Sequence, residues 1–380
     1  MKVALDDMIL TKSLPTAAGS KMLQGFMSLF DATVVTNLET AGYTVSGKTA
    51  VGEMGMDVIG ETCFAGATKR EDGSFTTAAA LAVENGDVDA AVQVDVNGAP
   101  RRAAAQGNHV FVKPTYGTVS RYGMIPAACS GDTVGVAALT VANAKAVLSA
   151  IMGKDAKDGT MQSADKCVLA DGKAVKKVAI AKGLVAAADK ETREKIAAFV
   201  AFLNANGIET TEVDDTVLLS AKTAWNVLMS AEICNNVSRY DGVKYGYRSK
   251  KYTNIDELYT NSRTESFGDL LKTTVLFGSD VLATENYEKM YDKALRVRRV
   301  VVETFAKLFG DFDCVLMPAV SSQKYTDLGV TAAFEENVFT APASITGLPA
   351  VVVGGVQLVG AAFSDNALLD VAAMYEEASK

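Results

Sequence analysis

The chain has 380 residues, 49% of them hydrophobic and 22% charged, enough to bury one large core. A net charge of −8 and an isoelectric point near 5.0 argue against a basic nucleic-acid-binding face, and no long Lys/Arg block supplies one locally. No uninterrupted apolar run reaches about 18 residues and no charged-then-apolar leader opens the chain, so neither a membrane span nor a signal peptide is expected.

In chain order, the first regular element expected is a helix over 76–83. His109, the single histidine, stands in Asn108-His109-Val110-Phe111-Val112, which reads as the entry to a strand. One histidine cannot build a two-histidine metal site, and its setting suits a structural residue better than a catalytic one. A helix is expected over 136–152, followed by a loop over 155–165. A strand over 174–180 leads into a helix over 191–206, with Asp189 as its N-cap and Asn206-Gly207 as its stop. Trp225 falls on an apolar helix face and reads as packing. The run Arg248-Ser249-Lys250-Lys251-Tyr252 reads as a solvated loop. Over 287–309 the apolar residues Met290, Ala294, Val297, Val301, Phe305 and Leu308 mark one buried helix face. Strands close the pattern at Cys314–Met317 and Ala350–Val353.

Strands alternating with helices predict an α/β fold, a large mixed sheet flanked by helices on both faces. No linker, repeat or low-complexity tract divides the chain, so a single domain over 1–380 is expected. The five cysteines, Cys63, Cys129, Cys167, Cys234 and Cys314, are scattered and form no C-x-x-C pair. That argues for a reducing cytoplasm and against a disulfide framework or a structural zinc. No cofactor and no metal are expected.

Several loops carry a resemblance. Lys113-Pro114-Thr115-Tyr116-Gly117, continued by Val119-Ser120-Arg121-Tyr122-Gly123, resembles the KPTYGxVSRYG core of the amidase-signature family, in the wording of its tRNA-dependent amidotransferase members. Further similar segments follow that family's order. They are Gly47-Lys48-Thr49 with Glu53 and Met56, Arg239 to Gly246, Arg263 to Gly268, Phe339 to Ala343 with Gly347-Leu348-Pro349-Ala350, and Val356 to Gly360. The resemblance covers essentially the whole chain. The helical region that the family carries ahead of its first strand has no counterpart in this sequence, and the loop before Gln357 is shortened.

The resemblance implies a sheet core between helices and amide hydrolysis by a serine nucleophile, with a second serine in a cis peptide relaying the proton and a lysine as base. Such a set activates a weak hydroxyl without histidine. Carried over residue by residue, the set is missing here. The lysine position falls on Asp6, beside a matching Asp7. Counting fourteen residues back from Lys113 places the nucleophile at Ala99, with Asp95, Gly98 and Arg101 falling on family residues around the substrate pocket. The cis-serine, 24 positions earlier, falls on Phe75. A slip of one residue would bring Ser74 there instead, and Ser74, Thr76 and Thr77 are the nearby surrogate hydroxyls. The family aspartate suited to a substrate ammonium is replaced by Asn337, and its arginine-bearing run by Lys272-Thr273-Thr274.

Three readings remain open on the sequence. The first is an inactive scaffold kept for binding or assembly, with a partner subunit or a second copy of the chain, no direct nucleic-acid binding and no membrane. The second is chemistry rebuilt on Asp6, Asp7 and Asp95, as a general base or around a divalent cation. The third is an active amidase or glutaminase working through Ser74, Thr76 or Thr77. The surviving scaffold segments predict a pocket beside Ala99, partly filled by Phe75.

Overall fold

A computed structural model of the chain describes residues 1–379. Among them one ten-stranded sheet runs in the order β2-β1-β3-β5-β4-β9-β10-β8-β6-β7. The strands are β1 (Lys2–Asp6), β2 (Thr44–Thr49), β3 (Ala90–Asp95), β4 (Val110–Lys113), β5 (Thr133–Ala138), β6 (Lys177–Ala181), β7 (Glu209–Val213), β8 (Cys314–Met317), β9 (Ala350–Val353) and β10 (Val356–Gly360). β1 pairs parallel with β2 and β3, and β6 pairs parallel with β7 and β8; the other pairs are antiparallel. The first five strands in sequence form one half of the sheet and the last five the other. The halves meet in a single antiparallel seam, with Phe111 opposite Val352 and Lys113 opposite Ala350.

The residues explain this layout. β3 (AAVQVD) and β5 (TVGVAA) are buried at every position, as continuous apolar runs are when helices cover both faces of a sheet. The edge strand β7 is mostly exposed, and its Glu209 and Glu212 lie against Lys177 and Lys182. Charged side chains of this kind blunt an open edge. No helix of the described residues is long and apolar enough to cross a membrane.

The strands expected at Cys314–Met317 and Ala350–Val353 are β8 and β9. The helix expected over 191–206 is Lys190–Ala205, where the Thr192 N–H donates to the Asp189 carboxylate at 2.8 Å and Gly207 leaves with φ +75°. The helix expected over 287–309 starts as a π-helical turn, Glu288–Asp292, and continues as Lys293–Asp311. The helix expected over 76–83 is Ala78–Glu84, with Thr77 as its cap and Thr76 outside it. The strand expected over 174–180 begins three residues later, at Lys177.

The helix expected over 136–152 is a correction. Residues 136–138 end β5, with Val136 between Val92 of β3 and Val112 of β4. The helix is Val141–Ile151, begun where the Thr140 hydroxyl accepts the Asn143 N–H. The apolar run across this junction has no period that separates strand from helix. The loop over 155–165 is held by its own carboxylates: Asp155 accepts from Ser120 at 2.7 Å and Asp158 from the Arg121 N–H at 2.9 Å. His109 is structural, with Nδ1 2.7 Å from Glu84 Oε1, and Glu84 also pairs with Arg70. Of the basic run after Tyr247, Arg248 and Lys250–Tyr252 are exposed while Ser249 is buried.

Candidate active site

The polypeptide leaves β3 at Asp95, turns through Val96-Asn97-Gly98 and enters the helix Ala99–Gln106 with Pro100 in its first turn. Gly98 sits at φ +94°, and a Cβ there would lie 2.5 Å from Thr340, so this turn requires glycine. Ala99 is the first residue of that helix, at the end of the turn that leaves β3. Its side chain is a methyl group.

Beneath the turn lies a closed polar lattice. Arg101 and Asp95 have fully buried side chains and form a bidentate pair, Nε to Oδ2 at 2.7 Å and Nη2 to Oδ1 at 3.0 Å. Arg101 also donates to the Thr340 carbonyl, Gln357 Oε1 and Ser344 Oγ. Arg102 donates to the carbonyls of Val58 and Asn97 and to the Thr340 hydroxyl. Trp225 is buried, as packing requires, and its Nε1 also donates to Asn97 Oδ1 at 3.0 Å. These groups brace the turn, a structural use of buried charge, with Arg102 Nε left unbonded among the described residues.

Asp6 closes the other side. The register of β1 sets it beside Thr49 of β2 and, continued one residue, beside Gln93 of β3, so the three side chains form one row on one face. The Thr49 hydroxyl donates to Asp6 Oδ1 at 3.3 Å and the Val94 N–H to Oδ2 at 2.8 Å. Burial pushes the Asp6 carboxyl up to about 8 despite these bonds. Burial also raises Asp57, brings Glu61 to about 8 with help from the Asp57 charge, and brings Glu53 to about 7. Buried carboxyls thus gather in this region.

Between these walls lies a cavity of about 20 Å³, lined by Asp6, Val51, Gly52, Gly55, Asp57, Gly60, Thr77, Gln93, Val94, Ala99 and Pro100. One water needs roughly 10–15 Å³ on this measure, and small-molecule pockets run to hundreds of Å³.

The other expected residues are placed largely away from this cavity. Phe75 does not fill it, contrary to expectation. Its N–H donates to the Tyr325 carbonyl and its ring lies under the Lys69 ammonium, and residues of the 51–60 stretch line the space instead. Ser74 Oγ donates to Asp72 at 2.6 Å, and Thr76 Oγ1 accepts from Arg70 at 3.2 Å. Of the three surrogate hydroxyls only Thr77 lines the cavity, and its oxygen caps a helix by accepting the Ala80 N–H. Asp7 accepts from the Ala17 N–H and lies 4.0 Å from Lys48, whose own value burial lowers to about 8. Asp6, Asp7 and Asp95 thus face different partners, and among the described residues no three His, Cys, Asp or Glu side chains are grouped to hold a metal ion. Asn337 is buried against Asn226. Sequence reading missed Asp57, Glu61 and Gln93; a glutamine inside the apolar run AAVQVD was the available signal for the last.

Comparison with known proteins sets this geometry in context. The family model described as Amidase matches residues 1–369. The chain is 34% identical over 402 residues to the glutamyl-tRNA(Gln) amidotransferase A subunit of Streptococcus pneumoniae (strain Hungary19A-6), covering 98% of this chain and 82% of that one. The corresponding protein of Latilactobacillus sakei is 33% identical over 406 residues, covering 100% and 83%. Among solved structures, the glutamyl-tRNA(Gln) amidotransferase A subunit from Thermotoga maritima superposes with a TM-score of 0.82 at 26% identity, over 99% of this chain and 83% of that one. A 6-aminohexanoate cyclic dimer hydrolase, 19% identical, shares the fold with a TM-score of 0.83 over 100% and 84%.

Proposed function

The chain belongs to the amidase family, and we propose that within it this protein is a non-hydrolytic member retained for binding or assembly. The observation that carries this reading is the methyl group of Ala99 at the start of its helix, facing a cavity of about 20 Å³. Acyl transfer needs a nucleophilic oxygen, a base within hydrogen-bond reach and donors for the oxyanion. Ala99 supplies no oxygen. Asp6, at the position the family resemblance gives to a lysine, is buried and hydrogen-bonded to the Val94 N–H. Ser74 and Thr76 are turned to other partners.

A role in assembly agrees with the names of the relatives, which are subunits of amidotransferases. The partner is a protein subunit or a second copy of this chain, acting in the cytoplasm, with one folding unit presented to it. The acidic balance and the lack of a basic block argue against direct nucleic-acid binding.

The test is ammonia release from glutamine, asparagine and simple amides, for the parent chain and for Ala99→Ser. Neither is expected to release ammonia above buffer, because the serine would still lack a base and room for substrate. Robust turnover by the parent chain would overturn the reading.

A further inference from the structure

Exposed apolar side chains gather on one loop, a grouping that marks contact surfaces more than scattered single residues do. Leu29 is 93% exposed, more than any other large apolar side chain among the described residues, with Met27 at 47% and Phe30 at 40% beside it. The loop is tied down on both sides of Leu29. The buried Ser28 hydroxyl donates to the Phe30 carbonyl at 2.7 Å and accepts the Phe30 N–H at 3.2 Å. The Phe26 N–H donates to the Leu23 carbonyl, and the Phe26 carbonyl accepts the Thr16 N–H. Leu29 therefore stands out as a knob between pinned neighbours, with little backbone freedom left to lose on contact.

A hole lies next to the knob. The Phe30 ring stacks on Tyr122 at 5.2 Å, and Tyr122 lines an open groove of about 250 Å³ whose apolar side is Gly123, Met124, Pro126 and Cys129. The charges around them are balanced locally. Lys12 pairs with Asp31 at 3.0 Å and Arg121 with Asp158 at 3.9 Å, while Lys157, 4.9 Å over the Tyr122 ring, stands two residues from Asp155. A second copy of this face thus meets no field of a single sign, although the chain carries −8 overall. Because knob and hole adjoin, a two-fold rotation about the ground between them seats each Leu29 in the other copy's groove. That is the self-complementary contact of an isologous dimer.

We propose that the chain forms a two-fold homodimer through this face, each Leu29 seated in the partner copy's groove against Tyr122, Met124 and Pro126. The inference rests on the reading that this member serves assembly, and it makes the partner a second copy of the chain. The two fail separately. Ammonia release by the parent chain would sink the non-hydrolytic reading and leave the dimer standing, and a monomer that releases no ammonia would do the reverse.

The experiment is sedimentation velocity of the full chain from about 1 to about 100 μM, the range in which modest interfaces associate. A concentration-dependent dimer is expected. Leu29→Asp should weaken it by at least about 100-fold, since each dimer loses two buried anchors. The side chain is almost wholly exposed in the single chain, so the fold is not at stake in this variant. Leu29→Cys gives a second readout. Under copper–phenanthroline oxidation the introduced thiol should link to the partner's Cys129, giving a covalent dimer that Cys129→Ser abolishes. A monomer at every concentration, a dimer that Leu29→Asp leaves intact, or a covalent dimer that survives Cys129→Ser would overturn the proposal. A monomer that sediments with phosphatidylserine–phosphatidylcholine vesicles overturns it too, and gives the loop to a lipid surface.

Discussion

Replacing Asp6 with asparagine should flatten the dependence of stability on pH. The folded protein holds the Asp6 proton at about 8 against an ordinary 3.8, so it binds that proton more tightly than the unfolded chain does. The stabilisation is complete below about pH 4 and is lost as pH rises toward 8. At about 1.4 kcal/mol per pH unit, the loss across that window is on the order of 5 kcal/mol. Asparagine cannot ionise, yet it keeps an oxygen for the Val94 N–H. Burial also raises Glu53, Asp57 and Glu61, but these are present in both proteins and largely cancel in the difference. The assay is urea unfolding at pH 4.5, 6, 7 and 8.5, followed by the fluorescence of Trp225, the one tryptophan, which is buried. Relative to the parent, Asp6→Asn should gain several kcal/mol between the lowest and highest pH. A difference constant to within about 1 kcal/mol would show that Asp6 is not held protonated by its surroundings.

Two further substitutions probe the turn that carries Ala99. Arg101→Met removes one partner of a fully buried ion pair and leaves the Asp95 carboxylate without it, which should cost about 3–5 kcal/mol in urea unfolding. A loss under about 1 kcal/mol would mean that water enters the lattice and replaces the guanidinium. Gly98→Ala forces a Cβ against Thr340 and an alanine into the left-handed region, for an expected loss of about 2–4 kcal/mol. A neutral result in the same assay would show that the turn can relax away from Thr340.

The candidate site and its surroundings were legible to different degrees. Ala99 and Asp6, singled out from segments 93 residues apart, line one cavity. β8 and β9 were legible from short apolar runs with clear boundaries. The 136–152 stretch was not, since its valines and alanines suit a buried strand and a helix equally; Thr140, a capping residue inside the run, was the overlooked boundary. Phe75 was misplaced because spacing gives a position along the chain and not a direction for the ring. Asp57 and Gln93 matched no segment of interest, and they meet at one cavity only once separate pieces of backbone close around them.

The seam between β4 and β9 has a consequence for biosynthesis. All five strands on its N-terminal side are made once residue 138 has been added, yet β9 ends at Val353. At about 5–20 residues per second, synthesis of the intervening stretch occupies on the order of ten to forty seconds. Throughout that interval the apolar strand Val110–Lys113 has β5 on one side and an open ladder of backbone donors and acceptors on the other. The nascent half-sheet thus presents its stickiest edge at the strand that will lie in the middle of the finished protein, and holding that edge until the second half arrives is the task this topology sets for the cell's chaperones.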